Sequence, residues 1–170
     1  MTHAGTSVSH CPCSIHILAS GTCLVCEMKQ AGKSVGLGVD GSASNNSSNM
    51  IQKVRPAFLL QRSRYGVEKV SHLDAPRWAT QGSAACVGRS PELGRIAVGM
   101  QADLALFPLD EPRFSGVLDP IAAVVVRGAD RAGRVMVCGN WVMEDGAIPG
   151  LDMTGLVRRH NAAAKALHAG

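Results

Sequence analysis

Aromatic residues are scarce, at 4% of the 170 positions, with two Trp, one Tyr and three Phe. A core must therefore be packed from Val, Leu, Ile, Ala and Met. Long apolar runs are also missing: the longest aliphatic stretch is Ile121 to Val126, far below the roughly 18 to 20 residues a membrane-spanning helix needs. The start, Met-Thr-His-Ala-Gly, has no basic segment and no apolar segment of the kind that marks secretion. The cytoplasm is the expected location, and no membrane is expected as a partner. Charge is modest as well, at 18% of residues and a net +4, too mild for a nucleic-acid footprint. What remains is ordinary globular material, 46% hydrophobic, with length enough for one core.

Six cysteines stand at positions 11, 13, 23, 26, 86 and 138. Without a secretion signal they read as reduced thiols rather than a disulfide framework. Four of them, Cys11, Cys13, Cys23 and Cys26, form C-x-C followed by C-x-x-C, a spacing at which thiolates can close a tetrahedral zinc site. A non-catalytic zinc- or partner-binding module on these thiols is thus one reading, and buried or incidental thiols are the other.

The chain begins with strand-loop-helix alternation. Thr6 to Cys11 alternates small and β-branched residues and stops at Pro12, as a short strand followed by a loop does. Leu24, Val25, Met28 and Ala31 recur at helical spacing ahead of Gly32, which predicts a short helix with a glycine cap. Val35 to Val39 is apolar and small, as in a strand buried on both faces, and Gly36 and Gly38 read as strand-packing positions. The polar loop 41–49 is expected to cap the next helix with a Ser or Asn. Pro56 is expected to kink or end that helix early. Asp74 and Pro76 open a further helix to about Val87, closed by Gly88. Past residue 94 the texture turns to short strands at Leu104–Phe107, Ala122–Arg127, Arg134–Cys138 and Trp141–Met143, the last two joined by a Gly139-Asn140 turn. A helix capped by Thr154 closes the chain.

Two residues carry the candidate chemistry. Asp40 ends an apolar strand and precedes a Gly-Ser loop, the place from which α/β barrels present catalytic groups. A carboxylate there can bind a divalent metal or move a proton, and it can equally be a solvated or capping aspartate. His10 falls at the end of the first strand, so parallel neighbouring strands would turn the imidazole and the carboxylate to one crevice. A histidine hydrogen-bonded to backbone is the alternative. His3, His16, His72, His160 and His168 have no spacing that suggests ligation.

Three motifs then point to a family. Ser9-His-Cys-Pro-Cys-Ser14, Val35-Gly-Leu-Gly-Val-Asp-Gly-Ser-Ala-Ser-Asn45 and Gly94-Arg-Ile-Ala-Val-Gly-Met-Gln-Ala-Asp-Leu-Ala-Leu106 resemble the metal-dependent amidohydrolase superfamily. Within it they look most like the 8-oxoguanine deaminase group, also labelled hydroxydechloroatrazine ethylaminohydrolase. Ile15 departs from the family pattern, which continues with Asn. The resemblance implies an α/β fold: the last two βα units of a (β/α)8 TIM-like barrel, followed by strands of a small β-sandwich. It implies a partial barrel at 1–94, β-sandwich strands at 95–152 and a terminal helix at 153–170. It also implies hydrolytic deamination of a purine-like or triazine-like ring amine by metal-activated water. Asp40 would be metal ligand and proton carrier, His10 would bind substrate, and the cofactor would be one divalent metal, zinc ahead of iron. The histidines that supply the family's other ligands have no counterpart here. An inactive fragment, a homo-oligomer or a complementing N-terminal part are the corresponding expectations.

Overall fold

The computed structural model describes residues 5–45 and 47–168, so His3 and Asn46 lie outside the described residues. Strand β1 (Val8–His10) leads through Cys11 into helix α1 (Pro12–Ile17). The expected loop after Pro12 is therefore a helix. Proline at the first helical position has its φ already set, and its missing N–H is one the first turn leaves unpaired anyway. Helix α2 (Val25–Gln30) and strand β2 (Val35–Leu37) follow. β1 and β2 pair in parallel, with Val8 opposite Val35 and His10 opposite Leu37. Both chain directions thus end at the same edge, and the residues after His10 and Leu37 emerge side by side.

Helix α3 (Ile51–Tyr65) runs through Pro56, so the expected early end does not occur. Val54, Ala57 and Phe58 are buried on it, and their burial offsets the one backbone bond Pro56 cannot make. Among the described residues no side-chain cap is seen at the start of α3, whose N-cap is Met50. Asp74–Arg77 (α4), a π-turn at Trp78–Gly82 and Ser83–Cys86 (α5) form one continuous helical stretch, close to the expected span. It lies against β2 at backbone distance. A Cβ on Gly36 would come within 2.8 Å of the Ser83 Cα, and one on Gly82 would strike the Val35 carbonyl. Glycine is needed on both sides of that contact. The core gathers Val25, Val35, Leu37, Val54, Phe58, Val70 and Trp78 from these elements.

A three-stranded antiparallel meander follows: β3 (Leu104–Leu106), β4 (Arg134–Val137) and β5 (Asn140–Met143). The β4–β5 turn is Cys138-Gly139, both at positive φ (49° and 80°), one residue earlier than expected. That pair of left-handed residues is what a two-residue hairpin turn requires. The expected strand at Ala122–Arg127 is instead helical, α6 (Pro120–Ala122) continuing into a π-turn at Ala123–Gly128. Asp119 caps it, accepting from the Ile121 amide at 2.8 Å and the Ala122 amide at 3.1 Å. The cap followed by proline outweighs the β preference of Val124 to Val126. Helix α7 (Met153–His168) closes the described chain. Its first turn is capped by Asp152, which accepts from the Gly155 amide at 2.8 Å, not by Thr154. No described helix is long and apolar enough to cross a membrane.

Candidate active site

The parallel pairing of β1 and β2 brings α1 and the loop after β2 together. Gly38 lets them meet: a Cβ there would lie 2.5 Å from Ser9 Oγ and 2.9 Å from Cys11 Sγ. Two residues on, Asp40 adopts a left-handed backbone with φ of 67°, a conformation that costs a non-glycine residue roughly 1 to 3 kcal/mol unless its surroundings enforce it.

The surroundings do so through the carboxylate. Oδ2 accepts from the hydroxyl of Ser14 on α1 and from the hydroxyl of Ser44 at 2.9 Å. Oδ1 accepts from the Gly41 amide at 2.7 Å. The Ser14 hydroxyl, then the Gly41 amide and the Ser44 hydroxyl, hold the Asp40 carboxyl below the usual aspartate range. Asp40 is thus an oriented, ionised carboxylate at the end of β2, exposed to solvent. That combination suits a metal ligand or a proton acceptor.

His10 lies at the C-terminal end of β1, as expected, yet its ring is 2% exposed. Both ring nitrogens lack a partner among the described residues. Burial, with a smaller contribution from nearby His16, pushes its pKa down to about 4, so the imidazole is neutral near pH 7. The expected backbone-bonded histidine is not what stands here. His16 instead contacts the Pro12 carbonyl through Nδ1 at 2.7 Å, and His72 pairs with Asp119 at 2.9 Å.

The thiol module is not assembled. Among the described residues no group of three or more His, Cys, Asp or Glu side chains could hold a metal ion. Cys11 lies between β1 and α1, Cys13 lies in α1, Cys23 precedes α2 and Cys26 lies in it. Burial raises the Cys11, Cys23 and Cys26 thiols, and a thiol kept protonated is a poor metal ligand. By the same donor inventory, Asp40 fits one oxygen position of a divalent metal site, and the described residues do not complete the set.

The sequence singles out Asp40 and His10 and gives no notice of Ser14 and Ser44, the hydroxyls that hold the Asp40 carboxylate. The signal for Ser14 was Pro12: proline at the first position of a helix puts a serine two residues later in the first turn, facing back to the strand ends.

Comparison with known proteins agrees with this architecture. The model of the Amidohydrolase family matches residues 1–142. An 8-oxoguanine deaminase of Pseudomonas aeruginosa is 56% identical over 98% of this chain and 37% of that protein. A hydroxydechloroatrazine ethylaminohydrolase of Pseudomonas sp. strain ADP is 37% identical, over 91% of this chain and 33% of that protein. Among solved structures, an amidohydrolase from a Sargasso Sea environmental sample superposes with a TM-score of 0.85 at 36% identity, covering 99% of this chain and 38% of that one. A zinc-bound adenosine deaminase from Xanthomonas campestris superposes with a TM-score of 0.87 at 27% identity, covering 96% and 38%. The chain spans little more than a third of the length of these relatives. The parallel strand pair carrying Asp40, the three motifs and the family match together show that the chain belongs to the amidohydrolase family, whose α/β barrel fold it shares in part.

Proposed function

We propose that this chain is the C-terminal part of a deaminase that hydrolyses a ring amine on a purine-like heterocycle of the 8-oxoguanine type, and that it is inactive by itself. The observation that carries the reading is the 56% identity to an 8-oxoguanine deaminase, sustained across 98% of this chain. A triazine-like amine is the second substrate class, favoured by the weaker likeness to the hydroxydechloroatrazine enzyme.

In this reading Asp40 supplies one carboxylate ligand to a divalent metal, zinc ahead of iron, and the remaining ligands come from outside the 170 residues. When bound, such a metal supplies a water acidified to near neutrality, the nucleophile for the carbon bearing the amine. Asp40, in the ionised form its hydrogen bonds favour, would hold the metal and would carry a proton from the attacking water to the departing nitrogen. The carbon gains an oxygen and loses ammonia, so water is consumed and nothing is oxidised. His10, neutral and with both ring nitrogens unpartnered among the described residues, has a donor and an acceptor free and would meet a heterocycle edge only once assembly with the remainder uncovers its buried ring.

Incompleteness follows from the surface as well as from the donor set. β1 and β2 form a sheet of two strands, and their outer edges are unpaired among the described residues. Ile96, Val98 and Leu118 stand 89% or more exposed, the kind of apolar surface and open edge that calls for a covering chain. The occupant proposed is the N-terminal remainder of an amidohydrolase. Co-producing this chain with that remainder of the Pseudomonas aeruginosa deaminase tests the reading. Ammonia release from 8-oxoguanine by the pair, and none by either part, is expected. No ammonia from a stably formed pair would overturn it.

A further inference from the structure

We propose that Ser14 is a positioning residue for Asp40: its buried hydroxyl holds Oδ2 and leaves the open lone pair of the carboxylate on Oδ1. The inference deepens the deaminase reading and rests on it for the reaction served, though not for the geometry.

The two hydroxyls on Oδ2 are unequal. Ser44 is only half-buried and follows Asp40 by four residues in the same loop, so its place is set by that loop. Ser14 is 1% exposed, lies in α1 behind Pro12, and reaches Asp40 across 26 residues of sequence. Its place is set by the β1–β2 register and by the close approach at Gly38, both independent of the Gly-Ser loop. A hydroxyl fixed by the scaffold can hold a carboxylate whose own backbone is in a strained left-handed state, whereas one in the carboxylate's own loop depends on that same loop for its place.

The acceptor count gives the orientation. An ionised carboxylate has about four lone-pair sites, two on each oxygen. Ser14 and Ser44 occupy both on Oδ2, and the Gly41 amide occupies one on Oδ1. One site remains, on Oδ1, for a cation or a proton. Removing Ser14 frees Oδ2 and lets the carboxylate rotate, so a ligand would meet two alternative oxygens in place of one.

Ser14→Ala and Ser14→Thr test this without changing a charge, with thermal unfolding run on each to separate loss of fold. In the 170-residue chain, proton NMR should show a Ser14 hydroxyl resonance that is slow to exchange. That resonance should be lost in Asp40→Ala and retained by the hydroxyl of Ser14→Thr. In the chain combined with its complementing part, Ser14→Ala should lower kcat about tenfold with KM unchanged. Zinc should be stripped about tenfold more readily by a chelator, and Ser14→Thr should restore both. A wild-type chain with no sheltered hydroxyl, or a Ser14→Ala pair with wild-type kcat and zinc retention, would overturn the assignment. If the wild-type pair releases no ammonia, the deaminase reading fails, and the hydroxyl resonance still decides whether Ser14 holds Asp40.

Discussion

Gly36→Ala perturbs the contact that sets the depth of β2, and its cost can be worked from the coordinates. The added Cβ would stand 2.8 Å from the Ser83 Cα, 2.9 Å from its amide nitrogen and 3.0 Å from its Oγ. Carbon atoms rest at about 3.5 Å or more, so strand and helix must part by roughly 0.7 Å. Neither obstructing backbone atom can swing aside as a side-chain tip would. Overpacking of this kind costs about 2 kcal/mol, and the stiffer unfolded chain of an alanine variant returns up to about 0.7. The net loss of about 1.3 kcal/mol lowers the midpoint of thermal unfolding by about 3 to 5 °C at this chain length. The same shift stretches the Ser83 contact to the Leu37 amide, now 3.2 Å, and moves the strand that carries Asp40. Gly41→Ala is the control, since a Cβ there meets nothing within 4 Å, and it should change stability by less than about 0.5 kcal/mol. Urea unfolding with an unchanged slope reads both. If Gly36→Ala is as well tolerated as Gly41→Ala, the strand-helix contact does not limit packing and the reasoning is wrong.

Other expectations follow from the same contacts. His10 should show no titration step above about pH 5 in nitrogen-15 NMR, because burial lowers its pKa to about 4. The unfolded chain binds that proton near pH 6.5, so stability is full above pH 6.5 and falls as pH drops towards 4, by at most about 1.4 kcal/mol per unit. A His10→Gln variant that keeps the whole of that slope would remove its cause. Zinc added to the chain alone and dialysed should leave no stoichiometric metal, since no described donor cluster exists; tight zinc lost on Cys23→Ser would restore the thiol module. Carbon-13 α shifts across 120–128 should be helical, and strand-like values there would refute the Asp119-capped turn.

How much was legible in the sequence depended on which signal dominated each segment. Val35 to Leu37 announced itself by being apolar throughout, and Gly36 by being small where a helix had to touch. The Ala122–Arg127 segment misled because three consecutive valines speak for a strand, while the deciding signal, Asp119 with Pro120, lay just before them. Pro56 misled in the other direction: its local cost is real, but Val54, Ala57 and Phe58 around it are buried, and packing outweighed it. In the site, Asp40 was readable because a carboxylate after a buried strand is exceptional. Ser14 was not, because a serine gains its meaning from a contact 26 residues away. The fate of the thiols was equally hidden, since spacing says nothing of the burial that raises Cys11, Cys23 and Cys26.

In the proposed deaminase, Asp40 would carry the chemistry and this chain would supply only part of the enzyme. Ammonia release from 8-oxoguanine by the complemented pair, measured for the wild type and for Asp40→Asn with circular dichroism on both, tests it most directly. Release by the wild-type pair, none by the Asp40→Asn pair, and matching spectra are expected. Equal release by the two pairs would contradict it.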